Sequence, residues 1–265
     1  MRTWQDIAAC VGAGERLSAE DALTLWQEAP LWRLAELAVE RKREISGDKV
    51  FYNRNFHLEP TNVCVFNCKF CSFRRPRGSA EAWEWSMEQM QQQVRRYVGS
   101  GVTEVHIVGG VHPDHSLDYY CSLIRNVKEI LPDVAVKAYT AIELSYMIQR
   151  AGLSVHEGLR RLIDAGMDAI PGGGAEIFDE EIRSKICPDK GSTKEWFEVH
   201  RAAHELGLKT NATMLYGHIE GVEHRIDHMM RLRELQDRTD GFNAFILFVC
   251  VSCKMQQRAL MPSFR

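Results

Sequence analysis

Residues 56–71, FHLEPTNVCVFNCKFC, combine a predicted β-strand with a dense group of cysteines. Residues 56–63 form a short β-type run and are predicted to be a strand. Cys64, Cys68 and Cys71 follow it directly, in a C-x3-C-x2-C spacing. In a parallel barrel, the loops at the carboxyl ends of the strands hold the reactive groups. The stretch therefore predicts a metal-binding or cluster-binding loop at the mouth of a barrel.

Further β-type runs alternate with longer helical segments along the rest of the chain. They are predicted at 103–109, 134–140, 168–171, 209–216 and 242–249. Strands that alternate with helices indicate a parallel sheet joined by right-handed crossovers. A closed barrel of this class needs eight βα units and the sequence provides about six. We therefore expect an α/β fold, an incomplete (βα) barrel.

Three of the intervening helices have recognisable starts. Each matches the capping box, in which a serine and a residue three positions later exchange hydrogen bonds with the backbone. The pairs are Ser86 with Gln89, Ser154 with Glu157, and Ser192 with Glu195. These pairs predict helices that begin immediately after each serine.

The N-terminal 50 residues have a purely helical pattern. An approximate apolar stripe, interrupted at Pro30, consists of Leu23, Trp26, Leu31, Leu34, Leu37 and Ala38. No low-complexity linker follows it. We expect a helical cap packed on the barrel over residues 1–50, the partial barrel over 51–249 and an atypical tail over 250–265.

The composition excludes several classes of protein. The chain has 265 residues, of which 45% are hydrophobic and 26% charged, an ordinary globular balance. A net charge of −3 gives no basic footprint for nucleic acid. No apolar run reaches the length of a membrane span, and the first ten residues do not resemble a secretory signal. We expect a cytoplasmic protein without nucleic-acid partners.

The cysteine triplet has several chemical interpretations. Three thiolates on one loop can ligate three irons of a [4Fe–4S] cluster, which leaves the fourth iron open to a small molecule. Structural zinc normally takes four ligands. A disulfide is rare in the cytosol and would leave one cysteine over. The spacing favours cluster ligation, with zinc, a disulfide and coincidence as alternatives.

A strand followed by Cys64, Cys68 and Cys71 resembles the radical S-adenosylmethionine superfamily, whose fold is a βα barrel. Other segments, between about residues 30 and 246, are similar to the aminofutalosine synthase family of the futalosine route to menaquinone. They are NRNFHLEPTNVC (53–64), HIVGGVHPD (106–114), IPGGGAEIFDEEIR (170–183), ICPDK (186–190) and ATMLYGHIEGVEHRIDHM (212–229). Cyclic dehypoxanthine futalosine synthase and the deazaflavin-forming enzymes belong to the same group. The stretch 57–62 and ICPDK favour the first family.

The resemblance implies a radical transferase with a [4Fe–4S] cluster and S-adenosylmethionine as a consumed co-substrate. It implies that the 5′-deoxyadenosyl radical adds to 3-[(1-carboxyvinyl)oxy]benzoate, an enol ether derived from chorismate. The product would be 6-amino-6-deoxyfutalosine, with one carboxylate lost as bicarbonate or carbon dioxide. The expected partners are this small molecule and an electron donor such as flavodoxin or ferredoxin.

Gly109 and Gly110 end the second predicted strand. The resemblance implies that the backbone there approaches the amino group of S-adenosylmethionine. Val111 stands where the superfamily motif commonly has an acidic residue, so a side-chain contact does not follow from the resemblance. A tight turn, which also favours glycine, is the alternative.

Gly172, Gly173 and Glu176 follow the fourth predicted strand. The glycines would let a ligand approach the backbone closely. Glu176 would accept hydrogen bonds from ribose hydroxyls or from the substrate, and we take it as a candidate catalytic residue as well. The alternative is a mobile loop with a solvated glutamate.

Polar residues also follow the fifth predicted strand, at Tyr216, His218 and Glu220. His218 is a candidate catalytic residue because an imidazole can bind a carboxylate or transfer a proton near neutral pH. A structural role is an equally good interpretation. Glu59 and Asn62 are weaker candidates at the end of the first strand.

Further histidines, cysteines and arginines allow more than one interpretation. His200 with His204 and His224 with His228 have a helical spacing that can hold a metal, but we expect both pairs on helix surfaces. Cys121 falls on an apolar stripe, and Cys10 and Cys187 match no pattern. The C-x2-C pair Cys250 and Cys253 could complete a zinc site or form a redox pair. Arg74, Arg75 and Arg77 could bind substrate carboxylates or form a solvated charge run.

The family resemblance stops just before the tail, and this predicts a chain that is shortened or shifted in reading frame. Two rival functions follow from that expectation. The chain could be an inactive fragment that binds a cluster without closing its barrel. It could also be a non-catalytic iron–sulfur or zinc protein, although a ferredoxin would need four cysteines per cluster.

Overall fold

The computed structural model describes residues 2–251. The described chain forms two compact units. The first combines the N-terminal segment through Tyr52 with Gly221–Arg231. The second contains Asn53–Glu220 and the chain from Leu232 onward.

The N-terminal segment is helical, as its composition predicts. Its helices are α1 (Trp4–Gly12), α2 (Ala19–Glu28) and α3 (Leu31–Ser46). Pro30 is the N-cap of α3, where its missing N–H costs nothing. The predicted stripe is wrong at Trp26, Leu31 and Ala38, which are exposed; the buried apolar residues are Leu25 on α2 and Leu37 on α3.

The second unit is built on a parallel sheet of six described strands. They are β1 (Asn55–Leu58), β2 (Glu104–Ile107), β3 (Ala135–Ala138), β4 (Ala169–Ile170), β5 (Lys209–Tyr216) and β6 (Phe242–Val249). Their order in the sheet is their order in the chain, which gives a half-barrel. The six predicted strands are confirmed. The first is shorter than predicted and ends at Leu58, so Glu59 to Val63 belong to the loop.

Helices connect the strands, and most of them contribute buried residues to the main hydrophobic core. They are α4 (Met87–Arg95), α5 (Leu117–Ile130), α6 (Ala141–Arg150), α7 (Val155–Asp164), α8 (Glu180–Ile186), α9 (Thr193–Glu205) and α10 (Val222–Thr239). The predicted capping boxes at Ser86, Ser154 and Ser192 are all present. A further capping box joins Thr140 and Glu143 at the start of α6.

Side-chain alternation separates the two faces of the sheet. Phe56, Val105 and Val136 are at most 4% exposed and belong to the main hydrophobic core, with the helices. Residues next to them along each strand point to the opposite, inner face. The inner face at the carboxyl ends of the strands is therefore available to form a site. Among the described residues, no helix has the length and apolar character of a membrane span.

Candidate active site at the carboxyl ends of the strands

The three clustered cysteines lie on the loop that follows β1. Backbone hydrogen bonds hold this loop from two sides: the Val65 N–H donates to the Val111 carbonyl over 3.0 Å, and the Lys69 N–H donates to the Ile186 carbonyl over 2.8 Å. The loop is thus tied to the segment after β2 and to the end of α8. All three cysteine residues are half-buried.

The three thiols share one cavity of about 340 Å³. Its wall includes Phe66, Phe70 and Phe73 from the cysteine loop and the chain just after it. The other lining residues are Glu59, Cys64, Cys68, Cys71, Arg74, Val108, Gly109, Val111, Thr140, Ile142, Glu143 and Lys190. Aromatic walls lower the local dielectric and strengthen the electrostatic interactions of any bound ion.

The donor set fits an iron–sulfur cluster. Burial raises the pKa of Cys64, and it raises the pKa of Cys68 to about 12, so both thiols are protonated at neutral pH without a metal. A metal would replace those protons, since a thiol coordinates as the thiolate. Three sulfur ligands on one short loop match three irons of a [4Fe–4S] cluster.

Lys190, which lines the cavity, belongs to a buried ion pair. Lys190 Nζ lies 2.6 Å from Glu176 Oε1, and the two side chains are only 14% and 12% exposed. Burial alone would lower the pKa of Lys190, but Glu176 and nearby thiols raise it above its usual value. The ammonium also lies 5.7 Å from the centroid of Phe70. A permanent positive charge therefore borders the cavity beside the cysteine loop.

A buried carboxylate borders the cavity on another side. Glu143 Oε1 accepts a hydrogen bond from the Gly109 N–H at 3.2 Å, and Oε2 accepts one from the Thr140 N–H at 2.7 Å. Burial raises the pKa of Glu143, although these N–H groups act against the shift. One side chain thus joins the carboxyl ends of β2 and β3.

Sequence reasoning missed Lys190 and Glu143 as candidate site residues. The sequence gives no sign that Lys190 belongs to a site, because it stands out only as the last residue of ICPDK, a segment that indicates the family. Glu143 had a local signal, because Thr140 and Glu143 match the capping box directly after the third predicted strand.

Gly109 and Gly110 pack against the backbone that leads into the cysteine loop. The Gly110 N–H donates to the Thr61 carbonyl over 2.8 Å. A Cβ on Gly110 would overlap the carbonyl oxygen of Val63. Gly109 lines the cavity. Close packing thus explains why Gly110 has no side chain, and contact of the two glycines with a co-substrate stays a prediction.

The loop after β4 is tightly packed. The Gly172 carbonyl accepts a hydrogen bond from Thr213 Oγ1 at 2.7 Å, and a Cβ on Gly173 would lie 2.8 Å from Thr140 Cγ2. The buried Arg183 donates to the Ala175 carbonyl over 2.6 Å. The glycines therefore fit a packed loop, and ligand contact by Gly172, Gly173 or Glu176 stays a prediction.

The turn after β5 satisfies its own polar groups. His218 Nε2 donates to the Leu215 carbonyl over 3.0 Å, and His218 Nδ1 lies 3.0 Å from Glu220 Oε2. Glu220 also accepts the N–H groups of Gly217 and His218. Burial alone would raise the pKa of Glu220, but these hydrogen bonds lower it to about 2. His218 does not line the cavity described above, and its catalytic role stays a prediction.

Of the other candidates from the sequence, two line the cavity and three contact neighbouring protein groups instead. Glu59 and Arg74 line the cavity. Asn62 is buried, and its side chain donates to the Glu81 carbonyl and accepts from the Trp83 N–H. Arg75 and Arg77 form ion pairs with Glu81 and Asp114, respectively.

The prediction that the helical histidine pairs lie on surfaces is wrong. His200 and His228 are fully buried, and His200 Nδ1 lies 2.9 Å from Thr210 Oγ1. His204 bridges Thr210 and Thr239. The imidazoles of His200 and His204 connect α9 to Thr210 on β5, and His204 also connects α9 to the end of α10.

The other cysteines have varied surroundings. Cys121 and Cys187 are 1% and 2% exposed, and Cys121 belongs to the main core as predicted. Cys250 is buried, and its N–H donates to the Tyr216 carbonyl over 2.7 Å. Cys253 lies outside the described residues, so the predicted C-x2-C pair is not tested.

A histidine–carboxylate group joins the segment after β2 to Glu84, which precedes α4. His115 Nε2 lies 2.5 Å from Glu84 Oε1, and His112 Nε2 lies 3.4 Å from Glu84 Oε2. The Asp114 N–H donates to His112 Nδ1. That bond uses the lone pair of His112 Nδ1, so this nitrogen is not available to a metal.

Comparisons with known proteins agree with this geometry. Residues 58–232 match the Radical SAM superfamily. The chain is 47% identical over 243 residues to an aminodeoxyfutalosine synthase of Thermus thermophilus and 45% identical over 236 residues to one of Streptomyces coelicolor. These alignments cover 91% and 89% of this chain. It is also 38% identical, over 81% of its length, to a 5-amino-6-(D-ribitylamino)uracil–L-tyrosine 4-hydroxyphenyl transferase of Methanopyrus kandleri.

The chain covers 64%, 61% and 58% of the lengths of these three relatives. Among solved structures, it resembles HydG, a maturase of the [FeFe]-hydrogenase, with a TM-score of 0.70 and 16% identity. HydG of Carboxydothermus hydrogenoformans gives a TM-score of 0.71 at 18% identity. These two likenesses cover 93% of this chain and 54% and 56% of the other chains, and they concern the fold alone.

Proposed function

The chain belongs to the Radical SAM superfamily, and from this we propose that Cys64, Cys68 and Cys71 ligate three irons of a [4Fe–4S] cluster whose fourth iron binds S-adenosylmethionine. The observation that supports the proposal most strongly is the shared cavity. It brings together three half-buried thiols and the buried ammonium of Lys190. A cation beside an open iron is the complement of an amino-acid carboxylate.

The chain's own residues would hold the amino-acid part of the co-substrate. Lys190 would donate to its carboxylate while remaining charged through Glu176. Glu143, fixed by two backbone N–H groups, would accept from its ammonium group. The aromatic wall would exclude water. When bound, the cluster would supply the electron that cleaves the sulfonium of S-adenosylmethionine.

We infer a reaction of the aminodeoxyfutalosine synthase type. The substrate would be 3-[(1-carboxyvinyl)oxy]benzoate, and the 5′-deoxyadenosyl radical would add to its vinyl carbon. The support is the identity of 47% and 45% to two aminodeoxyfutalosine synthases over most of this chain. We further propose a cytoplasmic location and an electron donor of the flavodoxin or ferredoxin type.

A direct test uses the anaerobically reconstituted and reduced protein. S-adenosylmethionine would be added with the enol ether in one reaction, and with tyrosine and 5-amino-6-(D-ribitylamino)uracil in another. We expect an adenosylated, decarboxylated product from the enol ether alone. Product from the tyrosine reaction would instead indicate a 4-hydroxyphenyl transferase activity. Cleavage to 5′-deoxyadenosine without any adenosylated product would favour a cluster-binding protein that lacks this transfer.

A further inference from the structure

Three nitrogen-bearing side chains form a row on the inner face of the sheet. His57 pairs in register with His106 on the next strand, and His106 pairs with Lys137 on the third. Their neighbours along the strands, including Phe56, Ile107 and Val136, are buried in the main core. Because side chains alternate between the two faces, all three point away from that core. We call His57, His106 and Lys137 the inner row.

The inner row lies directly below the cavity of the cysteine loop. Two residues farther along the chain, just past the ends of β1 and β2, Glu59 and Val108 line that cavity. Residues two apart on a strand share a face and are separated by about 7 Å. A molecule that fills the cavity and extends along the inner face would therefore meet the inner row next.

The polar groups of the inner row are only partly satisfied. His106 Nε2 is buried and has no hydrogen-bond partner among the described residues. The rings of His57 and His106 lie 4.8 Å apart. Lys137 Nζ uses one donor on Glu104 Oε2, at 2.7 Å. A buried polar atom without a partner is costly, which suggests that a ligand or ordered water completes this row.

We propose that the inner row is a binding site for a carboxylate of the substrate. This inference rests on the proposed function, whose substrate has two carboxylates. Lys137 would provide its remaining N–H donors, and the imidazoles would provide one each. Glu104 already neutralises the charge of Lys137, and Glu59 lies on the cavity side of the row. The charge of an entering carboxylate would therefore be neutralised by a proton that an imidazole of the row takes up.

The pKa of His106 offers the most direct readout. Burial, together with the neighbouring His57 and Lys137, lowers this pKa to about 4, so the ring is neutral at pH 7. A carboxylate beside the ring would favour the charged form and raise the pKa. Binding at this row should thus have a signature that a purely structural row would not show.

The first experiment titrates the reconstituted full chain with benzoate, and with benzamide as the uncharged control of nearly the same shape. Side-chain ¹⁵N resonances of the histidines are recorded across a range of pH values. We expect benzoate to shift the signals of His57 and His106 and to raise the pKa of His106, and benzamide to do neither. Unchanged histidine signals at saturating benzoate would overturn the proposal.

The second experiment uses charge-matched variants. Lys137→Met with Glu104→Gln removes a cation from the inner row without leaving an unpaired carboxylate. Lys128→Met with Asp168→Asn removes a similar pair, also 2.7 Å apart, from outside the inner row. We expect the inner-row variant to bind benzoate about 10-fold more weakly, the loss of one charge-assisted contact. The control variant should bind as the wild type does.

The outcomes separate this inference from the proposed function. Enol-ether turnover with an unchanged KM in the inner-row variant would leave the function standing and overturn the carboxylate site. Benzoate binding at the row without enol-ether turnover would support the site and contradict the function. A His106→Gln variant supplies an independent check if the double variant does not fold, because it leaves the ion pair intact.

Discussion

The carboxyl ends of β1 to β4 and the turn after β5 have similar polar residues. They differ in whether the hydrogen-bonding groups of these residues are already used within the protein. Beside the cavity, Lys190 keeps N–H donors beyond the one that it gives to Glu176. In the turn, both ring nitrogens of His218 contact protein groups, and Glu220 accepts from two backbone N–H groups. Polar groups with remaining hydrogen-bonding capacity beside a cavity indicate a binding site, whereas a closed local network indicates a structural role.

The largest expected effect is on cluster content, which should depend on the three loop cysteines and not on another buried thiol. Replacing Cys64, Cys68 or Cys71 with Ala should abolish the cluster, because each thiol would hold one iron. Cys187→Ala is the matched control, since that thiol is buried but does not line the cavity. The measurement is iron and sulfide content with the absorbance of the reconstituted protein. A full cluster in any of the three loop variants would refute the ligand assignment.

Lys190 should have the next strongest effect. Lys190→Met with Glu176→Gln removes the buried ion pair without leaving an unpaired buried charge. We expect binding of S-adenosylmethionine to weaken by about 100-fold, on the order of 3 kcal/mol, because a charge-assisted contact to the carboxylate is lost. Equilibrium dialysis on the reconstituted variant measures this. Wild-type affinity, with a full cluster, would show that Lys190 only supports the loop.

Glu143→Gln should have a smaller effect on the same affinity. The amide keeps the size of the side chain and can still accept one N–H, but it loses the negative charge. We expect about a 10-fold loss of affinity for S-adenosylmethionine, about 1.4 kcal/mol. The same dialysis assay applies. A stronger effect on cluster content than on affinity would show that Glu143 acts by positioning the segment at Gly109.

Glu220→Gln should change stability and leave co-substrate affinity within error. The folded-state pKa of Glu220, about 2, lies below the usual carboxyl value of 4.5. The stabilising contribution is therefore complete above pH 4.5 and declines as the pH falls toward 2. Urea unfolding should show a loss of about 1–3 kcal/mol at pH 7 that shrinks below pH 4.5. A loss of S-adenosylmethionine binding would instead place the turn in the site.

Local patterns made much of the fold predictable from the sequence. The capping boxes at Ser86, Ser154 and Ser192 involve residues three positions apart, so their hydrogen bonds follow from short-range geometry. The six strands are short β-type runs that alternate with helical segments, and each run is recognisable within its own segment. The N-terminal stripe failed at Trp26, because helical periodicity does not determine which side of a helix is covered.

The site was predictable only where its chemistry is contained in one segment. Cys64, Cys68 and Cys71 lie on a single loop, so their spacing predicts that they act together, and the structure places all three on one cavity. Lys190 and Glu143 reach the same cavity through separate crossovers. The capping box with Thr140 is a local signal for Glu143, but no local pattern indicates Lys190. For His218 the sequence shows the position after a strand, which suggests a site. It does not show the hydrogen-bond partners that occupy both ring nitrogens.

The central claim is that the cysteine loop binds a cluster with one iron open to S-adenosylmethionine. Electron paramagnetic resonance of the reduced, reconstituted full chain, with and without S-adenosylmethionine, tests it most directly. We predict about four irons per chain, a [4Fe–4S]⁺ signal and a change in its g-values when S-adenosylmethionine is added. Bound zinc in place of iron, or a cluster signal that S-adenosylmethionine leaves unchanged, would contradict the account.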